Sequence, residues 1–214
     1  ELVERTLAYH DPGGAWAAGR HRFTLREERP GGRDRATVVT LEPGTGGFAF
    51  RSEREGRILE ARLDDGGCTA TIDGKADFSA ELRDRYRLSC EGLAWLRAYY
   101  GFLLGLPMKL RDPGTRLGAV ERTRFADQDV LALRVTYDAE VGSDVWYFYV
   151  DPATHALVGA RFYHDEAAGD GEYLVFEGET AADGARWPRS RRWHSNADGE
   201  YLGADIIEHY ERLR

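Results

Sequence analysis

Glu91-Gly92-Leu93-Ala94-Trp95-Leu96-Arg97-Ala98-Tyr99-Tyr100-Gly101-Phe102-Leu103-Leu104 places large apolar side chains around most of a helix circumference instead of along one stripe. A helix of that kind is buried on more than one side. Leu82, Tyr86 and Leu88 precede it, so Asp77 to Leu106 reads as one or two helices, and Pro107 brings them to an end. Everything around this segment has a different period.

Upstream, a short amphipathic helix over Glu1 to His10, with Leu2, Val3, Leu7 and Ala8 at helical spacing, stops at Asp11-Pro12-Gly13-Gly14. From His21 onward apolar and polar residues alternate: Phe23 and Leu25 against Arg22, Thr24 and Arg26, then Thr37 to Leu41, Phe48 to Ser52, Arg57 to Leu63 and Cys68 to Ile72. Downstream the same alternation resumes in Arg116 to Phe125, Val130 to Tyr137, Val145 to Val150, Ala156 to His164, Glu172 to Glu179, Arg186 to Trp193 and Leu202 to Tyr210. Hairpin-length turns such as Glu55-Gly56, Asp64-Asp65-Gly66-Gly67 and Ala182-Asp183-Gly184 separate these runs, which predicts an antiparallel meander of about eleven or twelve strands. No linker divides the chain, so residues 1–214 are expected to form one α+β domain: a strongly curved, unclosed sheet with a helical lid.

Composition narrows the partners. The 214 residues carry 37 acidic against 29 basic side chains, a net charge of -8, so phosphate-driven nucleic-acid binding lacks its electrostatic source. No stretch approaches the roughly 18 consecutive apolar residues of a membrane-spanning helix. Lys75 and Lys109 are the only lysines, and every other basic residue apart from histidine is arginine. The Arg/Glu/Asp alternations, such as Arg51 to Glu55, read as solvated strand faces carrying ion pairs. Cys68 and Cys90 belong to no Cys-x-x-Cys pair and have no histidine at metal-ligand spacing, which leaves a disulfide in an oxidising compartment or two unrelated thiols.

Several segments together carry a family resemblance: Tyr9-His10-Asp11-Pro12 with Trp16, Gly105-Leu106-Pro107-Met108-Lys109-Leu110 with Asp112-Pro113-Gly114-Thr115, Trp146 to Pro152, Arg161 to Glu166, Trp193, and Gly199 to Ile206. On these residues the chain resembles the DUF6503 family, which looks related in architecture to the LolA and LolB lipoprotein carriers and receptors. The resemblance implies an unclosed antiparallel barrel with a helical lid over a hydrophobic cavity. It further implies a periplasmic or otherwise exported protein holding an apolar or lipid-like ligand, with peripheral membrane association through a lipidated leader that is removed from this sequence.

The candidate ligand-binding residues follow from aromatic clustering and from unusual charges. Trp95, Tyr99 and Phe102 on the lid and Trp146 and Phe148 in one strand concentrate aromatic surface, Leu103 is the aliphatic candidate beside them, and Trp95, Tyr99 and Phe102 are expected to touch the concave face. That strand is apolar on both faces, with Trp146, Phe148 and Val150 on one side and Val145, Tyr147 and Tyr149 on the other, so it needs cover on both. Lys109, a lysine where arginine is the rule, is expected near the cavity rim, chance retention being the alternative. His10 and His164 belong to two Tyr-His-Asp segments, Tyr9-His10-Asp11 and Tyr163-His164-Asp165; if these meet, a metal-dependent or metal-binding protein is the rival reading. Adjacent His and Asp on a strand point to opposite faces, which favours structural roles. There is no Gly-x-Ser-x-Gly elbow and no P-loop lysine behind Gly44-Thr45-Gly46-Gly47, so the expectation is non-catalytic binding without a cofactor. A completely filled barrel acting as an interaction scaffold is the third reading.

Overall fold

A computed structural model describes residues 1–213. Twelve strands form one antiparallel sheet in the order β5-β4-β3-β2-β1-β12-β11-β10-β9-β8-β7-β6. The strands are β1 Arg20–Glu28, β2 Arg35–Glu42, β3 Gly47–Arg54, β4 Arg57–Asp64, β5 Gly67–Ile72, β6 Thr115–Phe125, β7 Gln128–Tyr137, β8 Val145–Val150, β9 Leu157–Tyr163, β10 Glu172–Ala182, β11 Ala185–Ser195 and β12 Tyr201–Leu213. All twelve strand runs read from the alternation are present. The helices are α1 Leu2–His10, α2 Ala15–Ala18, α3 Ala80–Arg85 and α4 Cys90–Gly105, followed by a 3-10 helix at Met108–Arg111.

This order explains why the helices lie where they do. The chain starts at the centre of the sheet in β1, meanders outward to the β5 edge, and resumes at the opposite edge in β6 before meandering back to β12 beside β1. Everything between β5 and β6, α4 included, must therefore travel from one edge to the other. Eleven strand spacings of about 4.8 Å make a flat sheet about 53 Å wide, whereas a 16-residue helix is about 24 Å long. Curling solves the mismatch: one core cluster holds inward residues from both halves of the sheet, among them Phe23, Val39, Phe50, Leu59, Val135, Phe148 and Leu174, together with Leu93, Leu96, Tyr100, Leu103 and Leu104 of α4.

Capping sets the start of α4. Ser89 in extended conformation accepts a hydrogen bond from the Gly92 amide at 3.0 Å, satisfying one of the orphan donors of the first turn. A disulfide joins Cys90, the first helical residue, to Cys68 on the edge strand β5. The close approaches of α4 to the sheet are to β2, β4 and β5, so the helix is seated on the first half. Its C-terminal end packs on Trp16: a Cβ on Gly105 would stand 2.6 Å from Trp16 Cζ2 and 2.8 Å from Lys109 Cγ.

One expectation about α4 needs correction. Trp95 was expected to touch the concave face, but it is 48% exposed, stacked on Tyr99 with ring centroids 5.5 Å apart. The residues that face the sheet lie at Leu93, Leu96, Tyr100, Leu103 and Leu104. The apolar circumference is therefore split between a fully buried face and a flank, with Tyr99 and Phe102 partly buried and Trp95 outermost, that is covered only in part.

Strand β8 is covered on both sides, as its composition requires. Trp146, Phe148 and Val150 belong to the main core or pack against it, while on the opposite face Tyr149 stacks on Phe125 at 3.9 Å between centroids. Phe125 reaches this position by lying over Gly159, where a β-carbon would collide with its ring.

Candidate ligand cavity between α4 and the second half of the sheet

A cavity of about 460 Å³ lies between the outward flank of α4 and the ends of β6, β7 and β8. Trp95, Ala98, Tyr99 and Phe102 form its helix side, and Thr115, Tyr137 and Trp146 form its sheet side. Lys109, Asp112, Pro113, Val141, Gly142 and Asp144 close the remaining edge. It exists because α4 is seated on β2, β4 and β5, whereas its reach toward the second half is made by side chains: Phe102 meets Trp146 edge to face at 4.8 Å, and Trp146 stacks on Phe162 at 4.8 Å.

The candidates read from sequence divide into four groups. Trp95, Tyr99, Phe102, Trp146 and Lys109 converge on this cavity, with Lys109 paired to Asp112 one helical turn on. Leu103 and Phe148 sit behind it, buried in the main core. His164 lies one step outside: the register opposes Val145 to Tyr163, so the next residues out, Asp144 and His164, face each other, and His164 Nδ1 donates to Asp144 Oδ1 at 2.8 Å. That carboxylate holds the His164 imidazole above its ordinary pKa.

His10 is elsewhere. Its Nε2 accepts the Leu157 amide at 2.9 Å, so the ring proton is on Nδ1 and is donated to the Arg186 carbonyl at 2.8 Å. Both ring nitrogens are consumed in tying α1 to β9 and β11, and burial lowers the pKa of the imidazole. Leu157 and His164 bracket the length of β9, which puts the two histidine segments about 23 Å apart at a rise of about 3.3 Å per residue. The two Tyr-His-Asp segments do not converge. Among the described residues, no group of three or more His, Cys, Asp or Glu side chains is placed to hold a metal ion.

A buried polar row under α4 escaped the sequence reading. Glu27 on β1 pairs in register with Asp205 on β12, and Asp205 with Arg191 on β11; all three are buried. Thr37 donates to Glu27 Oε2 at 2.6 Å and Tyr100 of α4 donates to Glu27 Oε1 at 3.0 Å. Because the Thr37 proton is spent on Glu27, the 2.8 Å contact between Thr37 and Ser52 is donated by Ser52, whose oxygen in turn accepts from Arg54 Nε at 3.2 Å. Arg29 reaches both carboxylates at 3.3 Å, and Trp193 Nε1 donates to Asp205 at 2.8 Å. Burial raises the Asp205 carboxyl above its ordinary range against the pull of Arg29. Arg191 donates Nε to the Leu103 carbonyl of α4 and Nη1 to Pro188, both at 2.9 Å, and burial lowers its guanidinium to about 10. The signal was available in part, since Glu27 shares the phase of His21, Phe23 and Leu25.

The architecture has counterparts among solved structures. A putative outer membrane lipoprotein-sorting protein domain from Vibrio parahaemolyticus is similar over 100% of this chain and 91% of its own at a TM-score of 0.57, with 12% identity. A LolA superfamily protein from Nitrosomonas europaea is similar over 100% and 92% at 0.59, again with 12% identity. A DUF1329 family protein from Desulfovibrio piger covers 99% and 90% at 0.54 and 12% identity. At these identities the likeness concerns the fold, which is LolA-like. No curated protein matches the sequence. The family model described as a family of unknown function, DUF6503, matches residues 1–209, and the chain belongs to that family.

Proposed function

We propose that this protein binds, and in its native setting carries, a hydrophobic molecule in the cavity beside α4, without chemistry on it. The observation that carries this reading is the incompletely covered aromatic flank of the lid helix. Trp95 stands off the sheet-facing side of α4, half-exposed, and with the partly buried Tyr99, Phe102, Trp146 and Tyr137 it lines a space of about 460 Å³, within the size of ordinary small-molecule sites. Leaving that much aromatic surface unburied is unfavourable by about 25 cal/mol per Å² unless something covers it. The LolA-like fold supports the same reading, its neighbours including a protein described as lipoprotein-sorting. The Cys68–Cys90 disulfide supports an exported, oxidising location. Association with a membrane surface through a lipidated leader belongs to the same proposal.

The test is binding of N-phenyl-1-naphthylamine, an apolar dye that brightens on leaving water, to the native protein and to Ala98→Trp. Ala98 is exposed on α4 at the cavity edge, so a tryptophan there fills the space without touching the core. Saturable binding to the native protein at one site, lost in Ala98→Trp at unchanged Tm, is expected. A native protein that leaves the dye dark, or an Ala98→Trp protein that binds as well as the native one, overturns the proposal.

A further inference from the structure

The cavity is apolar along its walls but not at one end. Asp112, Asp144 and Lys109 are its charged lining groups, two negative and one positive, and Lys109 is already paired with Asp112. The Tyr137 ring is part of the same wall, and burial, with the charges of Asp112 and Asp144, raises its phenol pKa. Aromatic faces meet this end, and one of them already takes a cation: the Arg87 guanidinium, from an exposed position outside the lining, sits 4.1 Å from the centroid of the Trp95 ring.

We propose that the cavity selects an apolar molecule bearing a protonated or quaternary amine, its cationic end held by Asp144 and the Tyr137 ring and its body against Phe102 and Trp146. The inference rests on the reading that the cavity binds an apolar molecule at all, and adds the sign of its charge. Two physical effects act together. A carboxylate left in excess at the mouth of a low-dielectric site attracts a cation more strongly than it would in water, and ring faces attract cations by their quadrupole. An anionic end would meet Asp144 and Asp112, with only an already paired Lys109 to receive it. The competitor for Asp144 is His164, itself faced by Asp144 and, further off, by Asp170 and Glu172. Protonated His164 neutralises Asp144; neutral His164 can still donate to it but leaves its negative charge uncompensated. The cation preference therefore grows as pH rises through the His164 titration and shrinks below it.

Displacement of the dye by single-chain amphiphiles of equal length separates the possibilities: dodecyltrimethylammonium, dodecyl sulfate, the uncharged dodecyl maltoside and zwitterionic dodecylphosphocholine, each below its micellar concentration. We expect the cation to displace the dye about tenfold more tightly than the anion at pH 8, with a smaller ratio at pH 5.5. The cation-to-neutral ratio should fall toward one in Asp144→Asn. Dodecylphosphocholine following the cation would point to a phospholipid headgroup as the source of the amine, and following the neutral compound to a free amine. An anion that binds as tightly as the cation overturns the charge assignment while leaving the hydrophobic cavity standing. Failure of all four amphiphiles, the neutral one included, removes the cavity reading and this inference with it. The native protein's cation-to-anion ratio decides even if Asp144→Asn does not fold.

Discussion

The two halves of the sheet meet the same helix on different terms. Against β1–β5, α4 is stapled by Cys68–Cys90, packed through Leu93, Leu96 and Tyr100, and tied by the Tyr100 hydroxyl to Glu27. Against β6–β9 it offers Phe102 to Trp146, and beside that contact lies open space. The difference teaches that a helix can be apolar all round for two unrelated reasons: one flank is core and the other lines an open cavity. Burial separates them where periodicity does not.

The largest expected effect of breaking this asymmetry comes from the staple. Replacing both cysteines by alanine should cost about 3 kcal/mol, as expected for closing a loop of this length, and urea titration of the native and doubly substituted proteins measures it. An effect near zero would mean that packing alone seats α4. Next comes Tyr100→Phe, which leaves a fully buried Glu27 one donor short and should destabilise by about 2 kcal/mol. The same titration reads it, and a neutral outcome would show that Thr37 and Arg29 satisfy Glu27 unaided.

A pH effect follows. Burial lowers the pKa of His10 and His21, so both are held neutral in the folded state while the unfolded chain protonates near 6.5. Their contribution is present above that value and is lost as pH falls below it toward the folded-state pKa values. Tm should therefore decline on acidification from about pH 6.5, and His21→Gln should show a shallower decline than the native protein. Smallest is Trp95→Ala on the open flank: a half-exposed side chain should change stability by no more than about 0.5 kcal/mol. The same substitution should weaken dye binding, and a large loss of Tm with intact binding would reverse the roles assigned to the two flanks.

Much of this was legible in the chain. Period-two alternation located the strands because most have one face in the core, although edge strand β6 is exposed on both faces and β8 is covered on both, and the breaker clusters between them are the observed turns. The helix and its lid position followed from one apolar stretch in an otherwise alternating sequence, whereas the serine that caps it, Ser89, carried no signal that was read. Three things were hidden. Which flank of α4 packs depends on how the helix is seated, and nothing in Trp95 or Leu96 distinguishes them by type. The charged row of Glu27, Asp205 and Arg191 is assembled by cross-strand register between residues up to 178 positions apart, and each member resembles the surface ion pairs around it. His10 and His164 share a Tyr-His-Asp context yet differ completely, because one is the buried last residue of α1, turned onto the sheet, and the other lies just beyond the far end of β9.

The central pairing of β1 with β12 carries a consequence for the order of folding. Each flanking meander consists of hairpins between sequence neighbours, which close in microseconds and at little entropic cost. The seam between the meanders joins Arg20 to Leu213 and Glu28 to Ala204, the most distant partners in the sheet. It cannot zip until β12 has left whatever machine delivers the chain, and until then each meander presents an unpaired central strand. Folding should therefore be two-staged, with fast local hairpins and a slow seam, and the intermediate should be the species most prone to pair with a second copy of itself. Substitutions in the seam, such as Ile207→Ala, should slow that second step, whereas substitutions in the β3–β4 hairpin should leave its rate alone.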